Sequence, residues 1–173
     1  IAGDAWKVLQ PHQSHDVGEV NGEALSAQDY QNLVEEYTEV VKFSRGTSAL
    51  TDEENNQIKD EVWRNYVNNK LIENEAKKLG ISVSKAEIQA IIDAGVHPML
   101  QQTPFRNPQT GAFDKDMLKK FLVDYSKMNT AQMPAQYAEY YQSMYKFWSF
   151  LEKQLIQNRL AEKYQALVSK SLF

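Results

Sequence analysis

Cysteine is absent from the 173 residues, which removes disulfides, thiolate metal sites and a cysteine nucleophile. The absence suits an oxidising compartment, where stray thiols are a liability, although many cytoplasmic proteins also lack cysteine. Seven Gly and five Pro are too few for a turn-rich β protein or for long disordered tracts. A net charge of −4 lacks the basic footprint of a nucleic-acid binder, and the pairs Lys77-Lys78 and Lys119-Lys120 read as solvated helix faces. No run of roughly 18 apolar residues occurs, so no segment of this sequence is expected to cross a membrane as a helix.

Catalytic patterns are missing as well. There is no Gly-rich phosphate loop, no G-x-S-x-G and no H-E-x-x-H. His12, His15 and Asp16 form the one constellation of metal-ligand types, but they lie in a loop without an ordered third or fourth ligand. His97 precedes Pro98 and has no acidic neighbour in sequence. Glu35-Glu36 and Asp52-Glu53-Glu54 read as helix-surface and cap acids rather than a general acid/base pair. The expectation is a non-enzyme with no catalytic residue, no cofactor and no metal.

What is present is helical. Hydrophobic residues make up 42 % and charged residues 24 %, enough apolar mass for a core. Residues 17–25 read as a small β-hairpin, with Asn21-Gly22 supplying the two positive-φ positions of a type I′ turn. Ser26 caps a helix whose apolar face is Tyr30, Leu33, Val34, Tyr37, Val40 and Val41, and Gly46 ends it. Thr51 and Glu54 form a capping box before about 28 helical residues. The apolar positions there, from Ile58 and Val62 through Leu71 to Ala76 and Leu79, cover most of the circumference, which predicts neighbours on two or more sides. Gly80 closes that helix, and Ser84 with Glu87 opens another that carries Ile88, Ile91 and Ile92 and stops at Gly95. Residues 96–112, with Pro98, Pro104 and Pro108, predict an irregular segment. Asp114 then caps a helix with Met117, Leu118, Phe121, Leu122 and Tyr125 on one face.

The last helix is predicted over residues 131–170 with Pro134 in its first turn, a length of about 60 Å at ~1.5 Å per residue. Tyr137, Tyr140, Tyr141, Met144, Tyr145, Phe147 and Trp148 share a sector of roughly 160°, which Leu151 and Leu155 extend. From Ile156 the apolar face rotates, so that Ile156, Leu160, Tyr164, Leu167 and Val168 face elsewhere. A stripe at this spacing is either core or, in part, a groove for apolar segments of other polypeptides, to which aromatics and Met are suited. The candidate binding residues are therefore Tyr137, Tyr140, Tyr141, Met144, Phe147, Trp148 and Leu151. The candidate contacts to a partner domain or second copy are Ile156, Leu160, Tyr164, Leu167 and Val168.

The chain begins Ile1-Ala2-Gly3-Asp4-Ala5-Trp6-Lys7 without Met. This is either an ordinary terminus or the stub by which a transmembrane helix leaves the bilayer interface.

The order of these motifs resembles a known family. Val20-Asn21-Gly22-Glu23-Ala24-Leu25-Ser26 followed by Tyr30 resembles the opening of SurA/PpiD-type chaperone domains. The run Val62-Trp63-Arg64-Asn65-Tyr66-Val67, with Leu71 and Ile72, then Ala76 and Leu79-Gly80-Ile81-Ser82-Val83-Ser84, is similar to that family's long helix and its A-x-x-x-G-(I/V)-x-V-(S/T) ending. Phe105 with Gly111-Ala112-Phe113-Asp114 resembles its F…G-x-F-D turn. The resemblance covers about residues 17–123, with a long final helix also in keeping. It implies a mostly all-α fold, an irregular helical bundle with a short N-terminal β-hairpin and a long C-terminal helix. It divides the chain into an arm over 1–16, following a membrane anchor not present here, and a SurA N-like helical chaperone domain over 17–173. It further implies a periplasmic, inner-membrane-anchored protein that assists unfolded or outer-membrane clients. Its parent would be of peptidyl-prolyl isomerase type, with the parvulin domain lying outside this sequence. No client-binding motif is transferable, and the alternative role is a structural or dimerising scaffold that positions a following domain.

Overall fold

A computed structural model describes residues 16–20 and 23–171. Five α-helices dominate, joined by two short 3₁₀ turns and preceded by an antiparallel hairpin, which is the mostly helical architecture with a long C-terminal helix that the motifs imply. The described chain forms two compact units that divide between Asn74 and Glu75.

In the first unit, β1 (Asp16–Val20) pairs with β2 (Glu23–Ser26), with Val20 opposite Glu23 and an irregularity between Asp16 and Gly18. The expected turn at Asn21-Gly22 lies outside the described residues, as does the arm at 1–15 with His12 and His15. Gly18 sits against the Trp63 ring, where an added Cβ would come within 2.3 Å of a ring carbon. Only glycine permits that approach.

Helix α1 (Ala27–Arg45) starts where sequence places it, since the Ser26 hydroxyl accepts from the Asp29 N–H at 3.1 Å. Its end is a Schellman closure: Gly46 is left-handed at φ 67°, and the N–H groups of Gly46 and Thr47 reach back to Phe43 and Lys42 carbonyls. Helix α2 (Asp52–Lys78) begins with the Thr51–Glu54 capping box, and Arg45 at the end of α1 pairs with the same Glu54 carboxylate. Val34 of α1 and Ile58 and Val62 of α2 form the buried seam, flanked by Tyr30, Leu33, Tyr37, Val41 and Leu50. Tyr37 donates to Glu61 at 2.7 Å, and burial together with that bond pushes its hydroxyl up to about 12. The apolar circumference of α2 is not wholly covered, because Leu71 is 43 % exposed.

The second unit opens with another Schellman closure, at the end of α2. Gly80 is left-handed, its N–H bonds to the Lys77 carbonyl, and Ile81 bonds to Ala76, whose side chain is buried. Ser84 caps α3 (Lys85–Ala94) in a complete capping box with Glu87. The Ala-x-x-x-Gly-Ile-x-Val-Ser run is therefore one helix stop followed by one helix start.

The irregular segment carries more structure than its prolines suggest. Pro98–Gln102 is a 3₁₀ turn, capped by His97 Nδ1 accepting from the Met99 N–H. Leu100, Thr103 and Phe105 from this segment are among the most deeply buried residues. Phe105 and Phe113 are drawn together by an isolated bridge from Arg106 to Phe113 and by the Asp114 N–H donating to the Phe105 carbonyl. The loop between them closes on Asn107, whose side chain accepts from Gln109 and Thr110, and on left-handed Gly111.

Asp114 then caps α4 (Lys115–Lys127), accepting from Asp116 and Met117. The final helix, α5 (Ala135–Ser171), begins later than sequence suggests: residues 130–132 make a separate 3₁₀ turn. Pro134 stands just before the helix, with its carbonyl accepting from Tyr137 and Ala138, because proline holds Met133 extended at ψ 154°. Its 37 residues span about 55 Å at ~1.5 Å each.

Candidate functional site

Helices α4 and α5 meet through a ladder of rings. Phe105 packs on Phe121 at 5.4 Å between centroids and stands edge-on to Trp148 at 6.4 Å. Phe121 in turn stacks on Tyr141, which meets Tyr140 edge-on. A second rung stacks Tyr125 on Tyr145 at 4.5 Å with a 13° tilt. Offset and edge contacts of this kind suit the quadrupoles of the rings.

The candidate stripe thus separates by depth. Met144, Phe147, Trp148 and Leu151 are buried in the core of the second unit, while Tyr141 is half-buried. Tyr137 and Tyr140 are 54 % and 51 % exposed, and Tyr145 is exposed beside them. Farther along α5, Leu160 is buried, Tyr164 and Val168 are half-buried, and Ile156 and Leu167 are exposed. The structure therefore places the first stripe in two environments: a packed wall at its middle and an open tyrosine surface at its start.

Beside that wall lies a groove of about 500 Å³ bounded by α3, α4 and α5. Its base is Ile92, Leu118 and Trp148, with Leu122 and Val123 on the α4 side. Val123 is 44 % exposed and was not on the apolar stripe read from sequence. Its signal there was slight, since it falls off the buried stripe and only an exposed apolar residue marks it. A larger depression between α1 and α2, about 650 Å³, is lined by Val34 together with Gln31, Thr38, Asn55, Asn56 and charged side chains, so that Val34 is its one apolar residue.

The distal half of α5 is tied down electrostatically. Lys163 Nζ donates to Glu87 at 2.9 and 3.2 Å and to the Ser82 carbonyl at 2.5 Å, while Arg159 Nε reaches Glu87 at 3.2 Å. Lys163, chiefly, holds the Glu87 carboxyl down to about 2; the Ser84 N–H and Arg159 assist and partial desolvation opposes. A lowered folded pKa stabilises above the ordinary value of 4.5, and that contribution fades as pH falls toward 2. Glu87→Gln is therefore expected to lower Tm at neutral pH and to flatten the decline of Tm between about pH 4.5 and pH 2. A thermal-unfolding series in which wild type and variant run parallel through that window would show that the latch contributes nothing.

Among the described residues no cluster of three His, Asp or Glu side chains is arranged to hold a metal, and no helix is long and apolar enough to cross a membrane. The Glu87 cluster is one carboxylate answered by two cations at a helix start, an arrangement that holds helices rather than polarises a substrate. These features describe a helical, packing-driven module that exposes three tyrosines, Tyr137, Tyr140 and Tyr145, on the first turns of α5.

The SurA-like N-terminal domain family matches residues 3–122, and the chain belongs to that family. This makes it a module of a chaperone family, and the domain is the non-catalytic part of such proteins. No curated protein and no solved structure matches the chain.

Proposed function

We propose that this module holds apolar segments of unfolded polypeptides through the surface where α4 and α5 meet. The observation that carries the reading is the open tyrosine surface, Tyr137, Tyr140 and Tyr145, on the same helix whose Trp148 floors the groove between α3, α4 and α5. Tyrosine offers large contact area at low cost in conformational entropy and keeps a wet edge, so it can face water unoccupied and an apolar side chain when bound. In this reading Met144, Phe147 and Leu151 support the surface from below with half-buried Tyr141, while Tyr137, Tyr140 and Tyr145 touch the client. Family membership supports placement in the periplasm, in an inner-membrane-anchored protein of prolyl-isomerase type whose clients are exported or outer-membrane proteins. The isolated chain is expected to suppress aggregation of a denatured client at near-stoichiometric ratio. Tyr137→Ser combined with Tyr140→Ser should cut that suppression severalfold at unchanged helix content. Full suppression by the double variant would move the binding surface elsewhere, and none by the wild type would end the reading.

Exposed Ile156 and Leu167 favour a second role for the distal part of α5, as the seat of a following domain or a second copy. Light scattering separates the two: a dimer that Leu167→Asp dissociates would favour the scaffold.

A further inference from the structure

The groove bounded by α3, α4 and α5 is electrically polarised. On the α3 and α5 side its rim carries Asp93 and Glu152, and on the α4 side Lys115, Lys119 and Asp116. One wall is thus −2 and the other +1. Each helix contributes in the same way, with an apolar residue at the base and charges above it: Ile92 below Asp93, Trp148 beside Glu152, and Leu118 and Leu122 beside Lys115 and Lys119. Asp93 accepts from Gln89 on its own helix at 2.9 Å. Among the described residues none of the five charges has an ion-pair partner. By contrast, Glu87, at the other end of α3, is saturated by Lys163 and Arg159.

We infer that this groove seats a short polypeptide segment in which apolar side chains alternate with lysine or arginine. The inference rests on the chaperone reading above and names the class of client that this part of the surface prefers. The volume suits a few apolar side chains, within the range of about 300–1,000 Å³ typical of ligand pockets. Apolar side chains would lie on Ile92, Trp148, Leu122 and Val123, while a cation beside them meets Asp93 and Glu152. An acidic segment of equal hydrophobicity would face both carboxylates at close range, and like charges in a partly desolvated groove repel. The net −1 of the groove sets the sign of the preference, and the apolar floor sets the requirement for hydrophobic residues.

Two fluorescein-labelled peptides with the same leucines test it, one with lysine at the intervening positions and one with glutamate. At low ionic strength the lysine peptide should bind about tenfold more tightly, a difference that added salt narrows. The double variant Asp93→Lys, Glu152→Lys should abolish or invert the preference. Both positions are at the rim, and a lysine near the C-terminus of α3 also suits the helix dipole, so the fold should persist. Val123→Ser, which leaves the charge of the groove unchanged, should weaken the lysine peptide severalfold by removing part of the apolar wall. Equal affinity for the two peptides, or a preference that survives the double variant, overturns the groove assignment. If aggregation suppression persists alongside either result, the chaperone reading stands without the groove. If the wild type neither suppresses aggregation nor binds either peptide, the chaperone reading falls and the groove falls with it.

Discussion

Phe105→Ala is expected to destabilise the second unit by about 3–5 kcal/mol. Phe105 is 3 % exposed, and its ring sits between Phe121 of α4 and Trp148 of α5. Truncation removes the transfer free energy of the ring and leaves a cavity that three separate elements would have to move to fill. Collapse is hindered because the Phe105 carbonyl is held by the Asp114 N–H and the next residue is bridged to Phe113. The spread within such truncations depends on how far a site relaxes, and this one is fixed on both flanks. Urea unfolding followed by far-UV circular dichroism measures it, with Tyr137→Ala as a surface control expected within about 0.5 kcal/mol of wild type. A loss below about 1 kcal/mol for Phe105→Ala would mean that packing of the ring between Phe121 and Trp148 contributes little to stability.

Gln101→Leu should follow, at about 2–4 kcal/mol, for a different reason. The Gln101 amide donates to the Gly95 carbonyl at 2.8 Å and accepts from the Phe113 N–H at 3.1 Å. It therefore ties the end of α3 to the strand-like residue that precedes α4. Leucine fills the space but leaves a carbonyl and an N–H without partners in a partly buried place, each costing about 1–3 kcal/mol. Gln101→Glu separates the two halves, since a carboxylate still accepts from Phe113 but cannot donate to Gly95. It should fall between wild type and leucine. Leucine and glutamate variants of equal stability, both near wild type, would show that solvent replaces both bonds.

Phe105 and Gln101 lie in a segment, residues 96–112, that is legible in the sequence only as irregular. Pro98, Pro104 and Pro108 announce correctly that no long helix runs there. They say nothing of depth, because burial of a loop depends on elements far away in sequence that cover it. Thr103 illustrates the difficulty: a polar residue between prolines is buried because its hydroxyl is satisfied by the Leu100 carbonyl at 2.8 Å. The start of α5 differs from expectation for a local reason, as Pro134 forces the residue before it out of helical geometry.

Local chemistry was legible from the chain alone. Ser26, Thr51, Ser84 and Asp114 start the helices because short polar side chains satisfy free N–H groups at a helix start, and Gly46, Gly80 and Gly95 stop them because a left-handed residue is required there. Those rules act over four or five residues, so no tertiary information is needed to apply them. The Val20–Ser26 opening, the run from Val62 through Ser84 and the turn from Phe105 to Asp114, taken in that order, were also enough to point to the family. What only the tertiary structure decided was depth and company. Along α5 the same helical spacing produced buried Phe147 and Trp148 and exposed Tyr137 and Tyr140, since α4 and the irregular segment cover the middle of the helix and leave its beginning open. Periodicity specifies which residues share a face; whether anything lies against that face depends on where the rest of the chain packs.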